Sequence, residues 1–123
     1  GLMAATVLGF NELARTLIHY YAHIEAQNVL GKTALSVAAL VGNNDMARIL
    51  LDLGADIEKT DKYGTTPLIF ASVAGHVSTV RLLLERGAKV NHRRYNGWTA
   101  LNWATIHRRR KVVALLQRWG GSV

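Results

Sequence analysis

Hydrophobic and small residues recur along the chain at a fixed step of 33 positions. Three glycines lie 33 residues apart, each in the pattern Gly-x-Thr: Gly31, Gly64 and Gly97. The same step links a leucine two positions beyond each threonine, then an alanine, a second glycine, another leucine and a closing glycine. A fixed period of this length is typical of a solenoid, in which copies of one supersecondary unit stack on each other.

Within each unit the pattern predicts a tight turn followed by two short helices. In residues 61–93, Gly64 supplies the positive φ of the turn. Thr66 suits the N-cap of the first helix, and Pro67 suits its first position. Gly75 ends that helix and Gly87 ends the second. One such unit cannot bury its apolar face alone, so the units are predicted to stack into an all-α slab.

The third unit resembles the ankyrin repeat closely. The matching residues are Thr66-Pro67-Leu68, Ala71, Gly75-His76, Val80, Leu82-Leu83 and Gly87-Ala88-Lys89-Val90-Asn91. The resemblance covers essentially the whole chain. It implies one domain over residues 1–123, an ankyrin-repeat solenoid of helix-turn-helix pairs with β-hairpin-like loops. Its repeats are expected at about 1–27 (partial), 28–60, 61–93 and 94–123.

The resemblance also implies a class of function, a non-enzymatic module that binds other proteins through its hairpin tips and inner helical face. His76 matches the family's structural histidine, which normally satisfies backbone groups. The first unit begins just past a hairpin, so the chain is expected to be a fragment of a larger adaptor or regulatory protein. A monomer is the expected state in solution.

Charge is distributed unevenly along the chain, whose net charge is +7. Residues 1–85 carry six cations and all eight acids, whereas residues 86–123 carry nine cations and no acid. Such a field attracts anionic partners. The absence of cysteine fits a reducing compartment, so an intracellular location in the cytoplasm or nucleus is expected. No window approaches ~18 uninterrupted apolar residues, so no membrane span is predicted.

Candidate partner-binding residues follow from the register. Trp98 shares its position with Lys32 and Thr65, which are expected to be exposed, and tryptophan and arginine are favoured interface anchors. Trp103, in contrast, is predicted to lie in the core. The predicted partner-binding residues are Leu30, Lys32, Tyr63, Thr65, Arg93, Arg94, Tyr95 and Trp98 on the tips and Leu40, Val73, Ile106 and His107 on the inner face. The expected partner is a protein or peptide carrying acidic residues near Trp98 and Arg93.

A second candidate is the basic run Arg108, Arg109, Arg110 and Lys111, which the register places in the turn before the last helix and in its first turn. Arg108 stands at a glycine position, so either it adopts positive φ at a cost of about 1–2 kcal/mol or the turn is remodelled. A cation such as Lys111 in the first turn opposes the helix dipole by about 0.3–1 kcal/mol.

The run has several interpretations. It could be a solubilising cap, a contact for an acidic partner, or a site for the phosphates of nucleic acid or anionic lipid. Residues 106–113 contain no aromatic side chain for stacking bases. An import signal is a further reading, although such peptides work best extended and this run is predicted to be partly helical.

Two motifs suggest chemistry that their context does not support. Residues 26–33 fit a loose P-loop pattern, but the register explains each matching position, Gly31 as the turn glycine and Thr33 as a helix cap. His19 and His23 have the spacing of a helical zinc pair but lack a third ligand and a catalytic glutamate. We therefore predict no cofactor, no metal and no catalysis.

Overall fold

The computed structural model describes residues 26–122, and these residues form six helices and no strand. The helices are α1 (Ala34–Val41), α2 (Asn44–Asp52), α3 (Pro67–Ala74), α4 (Val77–Glu85), α5 (Ala100–Ile106) and α6 (Arg110–Arg118). Helices α1, α3 and α5 pack side by side in one layer, and α2, α4 and α6 follow each other in a second. This arrangement confirms the predicted all-α solenoid of stacked helix pairs.

The helix boundaries lie where the repeated threonines and glycines predict them. Thr33, Thr66 and Thr99 are the N-caps of α1, α3 and α5, and each accepts a hydrogen bond from a backbone N–H three residues on. Gly42 and Gly75 follow α1 and α3 in the left-handed conformation, with φ of 75° and 79°. Side-chain caps and left-handed glycines satisfy backbone groups that the short helices leave unpaired.

The core lies between the two layers and is continuous along the stack. Leu50, Leu83 and Leu116, which share one register position, are each fully buried. Ala71 and Ala104 are also fully buried where the first helices of neighbouring units meet. Small side chains allow these helices to approach closely, so each unit is stabilised mainly by its neighbours.

The loops between helix pairs are joined to one another at equivalent positions. Lys62 N–H donates to the carbonyl of Leu30 at 3.1 Å, and Tyr95 N–H donates to the carbonyl of Tyr63 at 3.1 Å. These bonds hold the loop tips in a row beside α1, α3 and α5. The row and the exposed side of these helices together form the concave face of the solenoid.

Some expectations fall on residues 1–25, which lie outside the described part of the chain. These are the His19/His23 pair and nearly all of the partial first repeat. Within residues 26–122, no helix is both long enough and apolar enough to cross a membrane.

Candidate partner-binding groove

A groove of about 290 Å³ opens on the concave face between the loop tips and the first helices. We call it the concave groove. Most of its lining is apolar or aromatic, and the charged residues in it are Lys32, Arg94 and Asp61. The complete lining is Leu30, Lys32, Leu40, Asp61, Tyr63, Thr65, Ile69, Phe70, Val73, Arg94 and Trp103.

The structure brings together part of the set of residues predicted to bind a partner. Those that line the concave groove are Leu30, Lys32, Leu40, Tyr63, Thr65, Val73 and Arg94. Those that do not are Arg93, Tyr95, Trp98, Ile106 and His107. Tyr95 and Ile106 are nevertheless well exposed, and His107 stacks on the groove residue Trp103 with ring centroids 6.1 Å apart. The structure therefore places seven of the twelve predicted residues in the groove and five outside it.

None of the three equivalent tip residues predicted to be exposed is fully exposed, and Lys32 is half-buried. Thr65 is only 4% exposed, and its backbone N–H donates a hydrogen bond to Asp61 Oδ1 within the same loop. Trp98 is half-buried, because its indole packs against Trp103 with centroids 4.7 Å apart. Trp98 thus packs against a groove-lining residue and is not a free anchor at the tip.

Trp103 also lies elsewhere than predicted. It is half-buried at the edge of the core and forms part of the groove surface. Its register partners behave alike, since Val37 is exposed and Phe70 is half-buried in the groove lining. In the two later units this register position lines the groove, and the sequence pattern alone did not distinguish a groove-lining residue from a core residue.

Arg94 is the cation most closely integrated into the groove. Its guanidinium carbon lies 5.5 Å from the ring centroid of Tyr63 and 5.2 Å from that of Trp103. Guanidinium groups stack favourably on aromatic faces at such distances. Its Nε is buried and has no hydrogen-bond partner among the described residues, and the same is true of Trp103 Nε1.

The register explains why Arg94 is available. In the two preceding loops its position is held by Asn28 and Asp61, whose Oδ1 atoms accept two backbone N–H groups each at 2.9–3.0 Å. Arginine cannot accept these bonds. Asn96 Oδ1 instead accepts the N–H of Trp98 at 3.1 Å, so the last loop is organised without the Arg94 side chain. A break in an otherwise repeated Asn/Asp position was the sequence signal for this residue.

The neighbouring Arg93, which is also predicted to bind a partner, does not line the groove. It is exposed, and its Nη1 donates to the carbonyl of Gly97 at 2.7 Å. Gln27, at the equivalent position two units earlier, makes the same bond to Gly31 at 2.7 Å. Arg93 therefore braces its own hairpin, and the groove cation beside it is Arg94.

Lys32 provides the second cation of the groove. Its Nζ lies 5.3 Å from the centroid of the Phe70 ring, on the side of the groove formed by the first described loop. Asp61 is largely buried, and its Oδ1 is occupied by backbone donors. The groove thus presents an apolar floor with cations from two different loops.

The basic run does not act as one group. Arg109 Nε donates to the carbonyl of Val73 at 3.0 Å, and Arg108 adopts φ 57°, the strained alternative predicted for it. Arg110 and Lys111 are exposed in the first turn of α6, which has no side-chain cap. None of the four cations has an ion-pair partner within residues 26–122, and Arg109 alone among them donates a side-chain hydrogen bond there.

Comparison with known proteins agrees with this architecture. A family model described as ankyrin repeats (3 copies) matches residues 2–94 and again residues 60–122. A search of curated proteins gave no match.

Proposed function

The chain belongs to the ankyrin-repeat family and is a protein–protein interaction module, and on this basis we propose that its concave groove binds an extended, partly acidic segment of a partner protein. The groove itself carries the proposal. It joins loop tips and inner helices into one continuous surface with an apolar floor. We propose a binding role and no catalytic one.

The exposed apolar side chains around the groove support this proposal. Val41 and Ile106 are 62% and 59% exposed, and Tyr63 is 47% exposed. Large apolar side chains gathered on one concave face, with cations beside them, are typical of a surface that meets a partner. The excess of positive charge in residues 86–123 favours an acidic partner segment.

The proposal is tested with a displayed library of random 16-residue peptides selected on the wild-type protein. Tyr63→Ala and Leu30→Ala, which change residues that line the groove, are expected to weaken binding of the selected peptides by about tenfold, as for residues at the centre of an interface. Val29→Ala is the matched control, because Val29 is an apolar tip residue that is 95% exposed and does not line the groove. If the selected peptides bind the two groove variants as tightly as they bind Val29→Ala, or if no peptide can be selected, the proposal is contradicted.

A second candidate function has one specific observation in its favour. Arg108, Arg110 and Lys111 are exposed, close in sequence and unpaired with acids of the described chain, which suits the phosphates of nucleic acid or anionic lipid. Three phosphate contacts on duplex DNA predict a slope of log K against log salt of about −2.7. Titrations with duplex DNA and with phosphatidylserine vesicles at two salt concentrations test it, and absence of binding at low salt removes it.

We also propose that the module acts as a monomer inside the cell. The absence of cysteine supports a reducing compartment, cytoplasm or nucleus. Light scattering of the purified chain measures the mass in solution, and a dimer mass at micromolar concentration would contradict the monomer.

A further inference from the structure

We propose that Arg94 is a specificity-determining residue that selects a carboxylate side chain in the partner segment, adjacent to the apolar residue held on the groove floor. This inference rests on the proposed function of the concave groove. It adds which chemical group the groove distinguishes and which residue distinguishes it.

The first argument is that no acceptor among the described residues pairs with the Arg94 guanidinium. Equivalent residues Asn28 and Asp61 organise their loops, but in the last loop Asn96 and Arg93 supply the bonds to Trp98 N–H and the Gly97 carbonyl. The Arg94 side chain forms no hydrogen bond or ion pair with the described residues. A guanidinium that is partly removed from water without an acceptor is unfavourable until an acceptor arrives.

The second argument is that the guanidinium is held in place before any partner binds. Tyr63 and Trp103 both lie within 5.5 Å of it, and Trp98 packs behind Trp103 at 4.7 Å. A pre-positioned planar guanidinium loses little side-chain entropy on binding and pairs with a carboxylate through two parallel hydrogen bonds. The geometry therefore suits a planar acceptor.

The third argument concerns the charge of the acceptor. Arg94 shares the groove lining with one buried acid, Asp61, and with Lys32 on the Phe70 side. A single negative charge balances Arg94, whereas a phosphate dianion would carry excess charge beside Asp61. These features favour aspartate or glutamate over a phosphorylated residue.

The experiment uses peptides selected by the library and resynthesised with an amidated C-terminus, so that only side chains supply carboxylates. Each acidic residue is changed to its amide, and binding is measured to wild type and to Arg94→Gln. For the residue that pairs with Arg94, the change is expected to weaken binding to wild type by about tenfold and to Arg94→Gln by less than about twofold.

Arg93→Gln is the matched control. It removes the same charge from the adjacent residue, and a glutamine there keeps the bond to the Gly97 carbonyl, as Gln27 does with Gly31. It is expected to retain the preference for the acidic peptide. Arg94→Lys, which keeps the charge but not the planar fork, is expected to lose most of the preference. Thermal unfolding confirms that each variant is folded.

Three results would overturn the inference while leaving the proposed function intact. The first is the selection of peptides that bind through the groove but contain no acidic residue. The second is that Arg93→Gln and Arg94→Gln reduce the preference for the acidic peptide over its amide equally. The third is tighter binding when phosphoserine replaces the acidic residue. If the selected peptides bind Tyr63→Ala as tightly as wild type, or if the library gives no binder, the proposed function and the inference are overturned together.

Discussion

Arg109 reaches back 36 residues to the carbonyl of Val73 at 3.0 Å, and His76 reaches back 36 residues to the carbonyl of Leu40 at the same distance. The two side chains occupy one register position, and each crosses the glycine that ends the preceding unit's first helix. Arginine and histidine thus perform the same task of joining neighbouring units. Arg109, which belongs to the basic run by sequence, is therefore an exposed link between two neighbouring units.

Arg109→Ala is expected to lower the free energy of unfolding by about 1 kcal/mol, the usual net contribution of one such hydrogen bond. Arg109→His is expected to be close to wild type, because His76 shows that an imidazole can make the same bond. Urea denaturation followed by circular dichroism measures both. Equal destabilisation by alanine and histidine would show that the bond is not the source of the effect.

Lys111→Glu is expected to raise the free energy of unfolding by about 0.5–1 kcal/mol at low salt, because an acid in the first turn suits the α6 dipole. Asp45 already occupies the equivalent position in α2. Arg118→Glu, in the last turn of the same helix, is the control and is expected to act in the opposite direction. Both effects should shrink in 1 M salt, which screens exposed charges.

Gly75→Ala is expected to destabilise the protein more than Gly87→Ala. Both glycines have positive φ, so alanine strains the backbone at either by about 1 kcal/mol or more. At Gly75 the new Cβ would lie 2.8 Å from Arg109 Cδ and displace that side chain, whereas at Gly87 nothing lies within 4 Å. The difference between the two unfolding free energies should be about 1 kcal/mol, the value of the lost Arg109 bond.

Trp98→Ala is expected to lower the free energy of unfolding by about 1–2 kcal/mol, since half-burial against Trp103 makes the loss smaller than for a fully buried tryptophan. Trp98→Phe should restore most of this loss by keeping an aromatic ring against Trp103. Chemical denaturation of the two variants provides the measurement. An alanine variant as stable as wild type would indicate that the Trp98 ring contributes nothing to packing.

The concave groove was only partly predictable from sequence. Leu30, Leu40, Tyr63 and Val73 could be placed on one face because the register aligns tips with tips and inner positions with inner positions. The register says which positions are equivalent. It does not say how side chains of different size share the space, and this is why Trp98 and Trp103 were assigned to the wrong surroundings.

The same distinction applies to charge. Arg93 and Arg94 are adjacent and chemically identical, yet Arg93 is bound to its own hairpin and Arg94 lies between two aromatic rings. Within Arg108–Lys111, Arg109 bonds to the preceding unit and Arg108 has a left-handed backbone conformation. The other two cations are exposed on α6 and have no ion-pair partner within residues 26–122. The sequence does not show which cation of such a run has which contact, because the acceptor groups come from other units of the stack.

The sequence by itself determined the architecture. Its threonine caps and helix-ending glycines define one helix-turn-helix unit, and the 33-residue period repeats that unit along the chain. Because a single unit cannot bury its leucines, the units must stack. Only the tertiary structure decided which side chains work together, because the groove, the contact of Arg94 with Tyr63 and the Arg109 bond each join residues from different units of the chain. Their geometry depends on the packing of neighbouring units.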